Sequence, residues 1–593
     1  LAPTRSASAV LAVLTAYPAM SRLGVDASSY SRLLVTELWL AFVYSLYNGA
    51  IIVCLTEIMP ESLRTTALSL AYSLATATMG GFTPAICTAL IHVTGNRAIP
   101  GAWMSFAAAA GPAGSPPRHA PDRNGADIMS HTHSDDNRYT HGIASFVSGL
   151  RYEAIPSAVI ERIKLLMLDS LGCAIFGAPL EASRILCDTL GKLDSTPACA
   201  VWGTSQRLSA PHAVLANGTL VQSFELDDVH RVGVLHVGAV TLPGILAIAE
   251  LRPGLSGRDL LTAAVAGYEI GPRVGICMGP EHIAQGWHSG ATVGVFSSVA
   301  GSAAALRLPV EQIVHALGIA GTQAAGLMAA QFGAMVKRMH AGRAAQSGFY
   351  GAMLAEAGFT GIVDVFENPY GGFCSTFSRS TDRFNLEELT SGLGDRFETM
   401  RIALKFYSCV GSNHTTLDAI RLMQARHPFG ATDVAAVEVR GSRVTMDHVG
   451  WKYKPQGLTS AQLNLPYCVA TLLLNGDVFV DQFTEETVAD PARMALADRV
   501  SVAEDPKITR RGSLYRHMVH VTMRLRDGTT LDETVEAPRG SEHSFASRAD
   551  VIEKFTKLTS RRIPRARVDQ IVNQVMTLET QPTATPLIAS LAG

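Results

Sequence analysis

Apolar positions recur every three or four residues along most of this chain, and alternate every second residue only in its last third. From Ile155 to Ala174 they fall at 159, 160, 163, 167, 171 and 174, the spacing of a helix with one buried face. Similar patterns predict helices at about 184 to 194, 211 to 224, 241 to 252, 257 to 277, 289 to 306, 310 to 330 and 341 to 357. These are dense in Ala and Gly, so their axes can approach closely. Past about 403 the period changes. Val437 and Val439 alternate with Glu438 and Arg440, and Val519–Leu525 and Thr530–Val535 flank Asp527-Gly528, a strong hairpin signal. Helices near 413 to 426 and 459 to 475 accompany these strands, and a final helical stretch, Ser547 to Leu578, is expected to return to the first helices. The fold class read from this pattern is mostly α: a helical domain at 135–402, a smaller α+β lid domain at 403–540, and a helical return at 541–593.

The first 111 residues carry a different pattern. Leu38 to Met59 and Thr65 to Val93 are long, mostly apolar runs, the second containing Gly80, Gly81 and Pro84, residues that membrane helices tolerate. Ala9 to Met20 and Ile99 to Gly111 are shorter candidates. Residues 1–111 therefore read as a few transmembrane-like helices, with buried helices of a soluble protein as the alternative. Residues 112–134 turn to Pro, Gly, Ser, Arg, Asp and His, the composition of a linker. Met129 within it looks like the start of a separate soluble protein, which suggests a gene fusion or a misplaced start site.

Charge and composition narrow the function. With 49 basic and 51 acidic residues and no basic run, nucleic acid is not an expected partner. Nine cysteines stand singly, without the spacing of a zinc site or an iron–sulfur cluster, as in a reducing compartment. No Walker loop, GxGxxG, GxSxG or HExxH is present.

The candidate chemistry centres on Phe224–Ala239, FELDDVHRVGVLHVGA, which brings Asp227, Asp228, His230 and His236 into one short segment. The two aspartates follow a predicted helix C-terminus, where the dipole prefers a cation. A solvated acidic loop would explain the pair alone; imidazoles close by favour acid–base work. His288 precedes a small-residue helix, a position that tends to keep an imidazole neutral, and its alternative is a satisfied structural histidine. Lys337, Arg338, His340 and Arg343 form either a solvated basic face or a site for a polyanion. Lys405 precedes His414 by nine residues, and Tyr467 follows Gln462 in a predicted helix, where a core role is the simpler reading of the tyrosine.

Taken in order, Asn217-Gly218, the ELDD run 225–228, His236, Gly286-Trp287-His288, Gly321-Thr322, Lys337 with His340, Lys405 to His414, Ala461-Gln462 and Pro466-Tyr467 resemble the MmgE/PrpD family over residues 137–578. The resemblance implies a helical domain with an α+β lid, a homodimer, and no metal or organic cofactor. It further implies catalytic roles for His236, His288, Lys337, His414 and Tyr467, and substrate binding by Asp227, Asp228, His340, Lys405 and Gln462. Val229 and Val237 depart from the threonine and proline common in the family. Leu55 to Asn96 resembles the C-terminal helices of major facilitator proton symporters for citrate and related tricarboxylates. The expected activity is a cofactor-independent lyase on a di- or tricarboxylate such as 2-methylcitrate or cis-aconitate, foremost a carbon–oxygen hydro-lyase and next a carboxy-lyase. An epimerase of an amino-dicarboxylate, or a membrane transport protein with a C-terminal binding domain, are the alternatives. A cytoplasmic enzyme part is expected, membrane-associated only if the N-terminal helices are expressed.

Overall fold

The computed structural model describes residues 2–25, 30–58, 82–113, 137–194, 196–380 and 382–592, which fall into two compact units, Leu1–His131 and Thr132–Gly593. The first unit contains helices Ala2–Val25, Tyr30–Ile58, Thr83–Thr94 and Ile99–Ala113. Its first and last helices meet closely at Gly101, where a Cβ would stand 2.5 Å from the Ala16 carbonyl oxygen. Trp39 Nε1 donates to Thr15 Oγ1 at 3.0 Å and fastens the second helix to the first. The short apolar stretches expected at Ala9–Met20 and Ile99–Gly111 are thus helical. Among the described residues, however, no single helix is long and apolar enough to cross a membrane. A 12-residue run such as Thr83–Thr94 rises only about 18 Å, against about 30 Å of hydrocarbon. The predicted helix Thr65–Val93 lies largely outside the described residues, as do Met129 and nearly all of the predicted linker.

The second unit is built on six helices that matter for the site: α1 (Ala210–Gln222), α2 (Val237–Leu251), α3 (Gly257–Met278), α4 (Gly294–Ala305), α5 (Val336–Glu356) and α6 (Gly411–Arg426). The first five pack side by side with small residues at their seams. At Gly218 of α1 a Cβ would stand 2.7 Å from the Gly342 Cα of α5, so both must be glycine for these helices to touch. That contact sets the start of α5 beside the loop that follows α1. Helix Ser157–Gly177 lies almost wholly buried beneath them, and Arg548–Thr559 covers it, with Phe555 against Gly172 and Lys554 Nζ 2.5 Å from Asp169 Oδ1.

The lid holds a four-stranded sheet of β1 (Val434–Gly441), β2 (Val500–Glu504), β3 (Val519–Leu525) and β4 (Thr530–Val535), in the order β2-β1-β3-β4. β1 pairs antiparallel with β3, Val439 opposite Val521, and parallel with β2, Val437 opposite Val500. Val519, Val521, Met523 and Leu525 face inward, where α6 covers them, and the residues between face outward; helix Leu465–Asn475 (α7) packs against β2. The Asp527-Gly528 turn joins β3 to β4, with Gly528 at φ +95°.

Four local expectations change. The helix predicted over 289–306 breaks at Val293 into Ser289–Thr292 and α4. The helix predicted over 310–330 ends at Gly321, and Met328–Phe332 is a separate 3-10 turn. The helix predicted over 459–475 divides at Asn464, whose side chain accepts from Tyr467 N at 2.8 Å ahead of α7. α5 begins at Val336 rather than at 341, which puts Lys337, Arg338 and His340 in its first two turns.

Candidate active site

The loop after α1 is the point on which the polar groups converge. Glu225 adopts φ +56°, a left-handed conformation uncommon for a residue with a side chain, and its carboxylate is fully buried. Lys337 and Arg338 of α5 both pair with its Oε1. Lys405 Nζ lies 3.2 Å from its Oε2 and donates to its carbonyl oxygen at 3.1 Å. A two-residue antiparallel ladder, Val229 opposite Ala403 and His230 opposite Ile402, carries Lys405 to this place. Burial alone would raise the Glu225 carboxyl, but Lys337, Lys405 and Arg338 outweigh it and hold it well below the carboxylate range. The same burial draws the Lys337 ammonium below its ordinary value while Glu225 resists. Glu225 was not singled out from the ELDD run, because its three cationic partners are 112, 113 and 180 residues away in sequence.

Asp227 and Asp228, adjacent in sequence, part company in environment. Asp227 Oδ2 lies 3.1 Å from His236 Nδ1 and its Oδ1 3.9 Å from Lys405 Nζ. Burial pushes its carboxyl up, yet His236 and Lys405 prevail and keep it ionised. Asp228 accepts from Gly238 N–H at 3.0 Å and from the Tyr268 hydroxyl at 2.8 Å. With no cation paired to it, burial raises its carboxyl to about 7, and the charge on Asp227 adds to the rise. Two carboxyls driven apart in this way suit an acid–base site.

His236 closes the loop as the residue before α2, its Nδ1 also 3.0 Å from the Asp228 carbonyl oxygen. Its Nε2 has no partner among the described residues. His288 and His340 stand together, with Nδ1 atoms 3.2 Å apart and ring centres 4.9 Å apart, so one donates and the other accepts. Burial, then the charges on Lys337 and His340, hold His288 well below its ordinary value, and burial with Lys337 lowers His340. The helix seams thus gather Asp227, Asp228, His236, His288, Lys337, His340 and Lys405 around Glu225.

Three other predicted residues are employed differently. Gln462 spends its amide on the framework: its oxygen accepts from Arg338 at 3.0 Å, and its nitrogen donates to the carbonyls of Phe224 and Ser408 at 3.0 and 2.9 Å. It ties the lid to the loop of Glu225. His414, in the first turn of α6, has Nε2 3.1 Å from the Cys409 carbonyl oxygen and its ring edge-on to Tyr407. The Tyr467 hydroxyl donates to the Thr487 carbonyl at 3.0 Å and accepts from Arg493 at 3.1 Å, with no polar contact to the Glu225 cluster. Arg343 of the basic run turns to Gln346. Among the described residues, no group of three or more His, Cys, Asp and Glu is placed to hold a metal ion.

A helical body holding paired carboxylates, neutral imidazoles and buried lysines in one cluster fits acid–base catalysis, and the similarities that follow make the class lyase. Residues 141–385 match the model of the MmgE/PrpD N-terminal domain, and residues 407–578 that of the MmgE/PrpD C-terminal domain. A cis-aconitate decarboxylase-like protein of Aspergillus oryzae is 33% identical over 475 residues, covering 77% of this chain and 98% of that protein. The cis-aconitate decarboxylase of Aspergillus terreus is 32% identical over 469 residues, covering 76% of this chain and 95% of that protein. The chain belongs to the MmgE/PrpD family. A separate match, to the citrate-proton symporter of Klebsiella pneumoniae, is 56% identical over 105 residues, which is 18% of this chain and 23% of the symporter.

Proposed function

We propose that the chain decarboxylates cis-aconitate, or a closely related unsaturated tricarboxylate, without an organic cofactor. The observation that carries this reading is the Asp227–His236 pair set beside Lys337 and Lys405. The Asp228 carbonyl and the Asp227 carboxylate, 3.0 and 3.1 Å from Nδ1, orient the His236 ring and leave Nε2 free for proton transfer. In the reaction, the bond between the methylene carbon and its carboxylate breaks and carbon dioxide leaves. The freed electron pair forms a new double bond to the central carbon, and the former alkene carbon takes a proton from His236. Lys337, close to neutral His288 and His340, lies where negative charge develops and binds a retained carboxylate. A second reading, dehydration of 2-methylcitrate, is favoured by His288, whose neutral ring suits a base.

Proton NMR of the full chain in deuterated water, with cis-aconitate and 2-methylcitrate supplied separately, tests both. Loss of carbon dioxide with one deuterium in the product supports the first reading, and loss of water the second. Deuterium exchange without net conversion points to an isomerase, and no change with either substrate removes both readings. We also propose a homodimer, in which a second copy covers exposed Leu327, Phe332, Met335 and Val336 just ahead of Lys337. A monomeric mass by light scattering counts against it.

A further inference from the structure

The lid carries a second polar group, separate from the Glu225 cluster, in which one guanidinium, Arg516, stands beside two imidazoles, His448 and His517. It gathers at the N-terminus of α6, where neither the Gly411 nor the Ser412 N–H finds an acceptor among the described residues. His517 is 5% exposed, and its Nδ1 has no partner. Its ring points at the helix end, Cε1 standing 3.8 Å from where a Gly411 Cβ would be. His448 Nδ1 lies 3.4 Å from Ser412 Oγ. Next to His517, Arg516 has a buried Nε without a partner and only a long bond, 3.4 Å, from its terminal nitrogen to the Arg231 carbonyl oxygen.

The charge balance of this group is incomplete. Arg231 has Glu542 as a partner, and Arg338 has Glu225. Among the described residues Arg516 pairs with no carboxylate, and burial, then the charge on Arg231, lowers it to about 10. Burial, then Arg516 and Lys337, bring His448 down to about 4. His517 is held well below its ordinary value by burial, then by Arg516, Arg231, His448 and His414. Arg516 thus stands without a carboxylate among the described residues, beside an unpartnered imidazole nitrogen and two free helix N–H groups, a setting that suits an anion. Val410, the residue before α6, donates its N–H to the Gln462 carbonyl at 3.1 Å, and the Gln462 side chain accepts from Arg338 at 3.0 Å, so one residue joins the patch to the first cluster.

We infer that the N-terminus of α6, with Ser412, His448, Arg516 and His517, is a carboxylate subsite that takes the substrate carboxylate farthest from the reacting bond. The free helix N–H groups and the guanidinium supply charge-assisted donors for both oxygens. Selectivity for three carboxylates over two is then set in the lid, while the bond changes belong to the helical body. This inference rests on the reading of the site as one for polycarboxylates.

The test is calorimetric binding of tricarballylate, a saturated tricarboxylate that cannot react, to the full chain and to its Arg516→Gln and Arg516→Lys variants. Among the described residues Arg516 neutralises no carboxylate, so its loss strands no buried charge there. Arg516→Gln is expected to weaken tricarballylate binding about tenfold or more, and Arg516→Lys to recover part of that loss. In turnover, KM for the substrate should rise by a similar factor with kcat changed less than about threefold. Unchanged tricarballylate affinity in Arg516→Gln overturns the subsite, as does an equal loss in Arg516→Lys or an absence of binding to the wild-type chain. Because the measurement needs no turnover, the two readings separate. Arg516-dependent binding without conversion of any tricarboxylate sinks the proposed substrate reading and keeps the subsite; conversion with Arg516-independent binding does the reverse.

Discussion

Two histidines six residues apart, His230 and His236, each pair with a buried carboxylate, yet they end in opposite states. His230 Nε2 meets Glu398 at 3.0 Å and its Nδ1 accepts from Gly233 N–H at 2.9 Å, so both ring nitrogens are occupied. Glu398 is further held by Arg396 and Arg401, each at 3.0 Å, and its carboxyl falls to about 2 as His230 and the arginines overcome burial. Both side chains are fully enclosed. His236 uses one nitrogen, keeps 14% of its side chain exposed, and faces a carboxylate whose oxygens otherwise have only a distant lysine. The same pairing of imidazole with carboxylate is a staple in one place and an unfinished proton relay in the other. What separates them is the valence left over after folding, which residue identity alone does not reveal.

The sharpest way to break this comparison is to exchange alanine for each histidine and read activity and stability together. His236→Ala should lower turnover by about a thousandfold, and Lys337→Ala by about a hundredfold or more, in steady-state assays of the reaction found by NMR. His230→Ala should instead cost about 3 kcal/mol of stability in denaturant melts, because Glu398 loses a partner inside the fold. Near-wild-type turnover in His236→Ala, or an unaltered melt in His230→Ala, would erase the distinction.

A smaller effect concerns pH. Asp228 and Glu269 are buried carboxyls raised to about 7, so the folded chain holds protons that unfolded carboxyls release near pH ~4. The stability they contribute is complete below about pH 4 and is lost as pH rises towards about 7. Asp228→Asn, which mimics the protonated form, should therefore narrow the gap in denaturation midpoint between pH 5 and pH 8. An identical gap in variant and wild type would count against the assignment. Smallest of all, Tyr467→Phe should change kcat less than about threefold, since its hydroxyl is engaged by Thr487 and Arg493. A hundredfold drop would return Tyr467 to the proton-transfer role its position in the family motif suggests.

Most of this architecture was legible in the sequence wherever one periodicity ran uninterrupted. Helix Ser157–Gly177 and strands β3 and β4 agree with their predicted spans because their apolar spacing is regular and their ends are marked by proline or by Asp-Gly. β2 was not predicted: VSVAE is only five residues, and its pairing with β1 is supplied from more than fifty residues away. The break at Val293 is hidden because small and apolar residues continue through it, whereas Asn464 with Pro466 is a helix-start signal that the apolar spacing on either side masks. In the site, the conspicuous residues Asp227, His236, His288, Lys337 and His340 were visible as unusual polar groups in apolar surroundings. Glu225, His448, Arg516 and His517 were not, for each derives its importance from partners, or from the lack of one, that only the folded chain brings near.

The seam between Gly218 and Gly342 has a consequence for how this enzyme can change over time. Two absent methyl groups hold the gap between a carboxylate and its lysine, so the reacting centre has no slack that a single helical substitution could use. Adding a carbon at either glycine would wedge α1 from α5 and alter every charge distance at once. Lid side chains other than Lys405 and Gln462, which meet the Glu225 loop, can be exchanged one at a time without disturbing that seam.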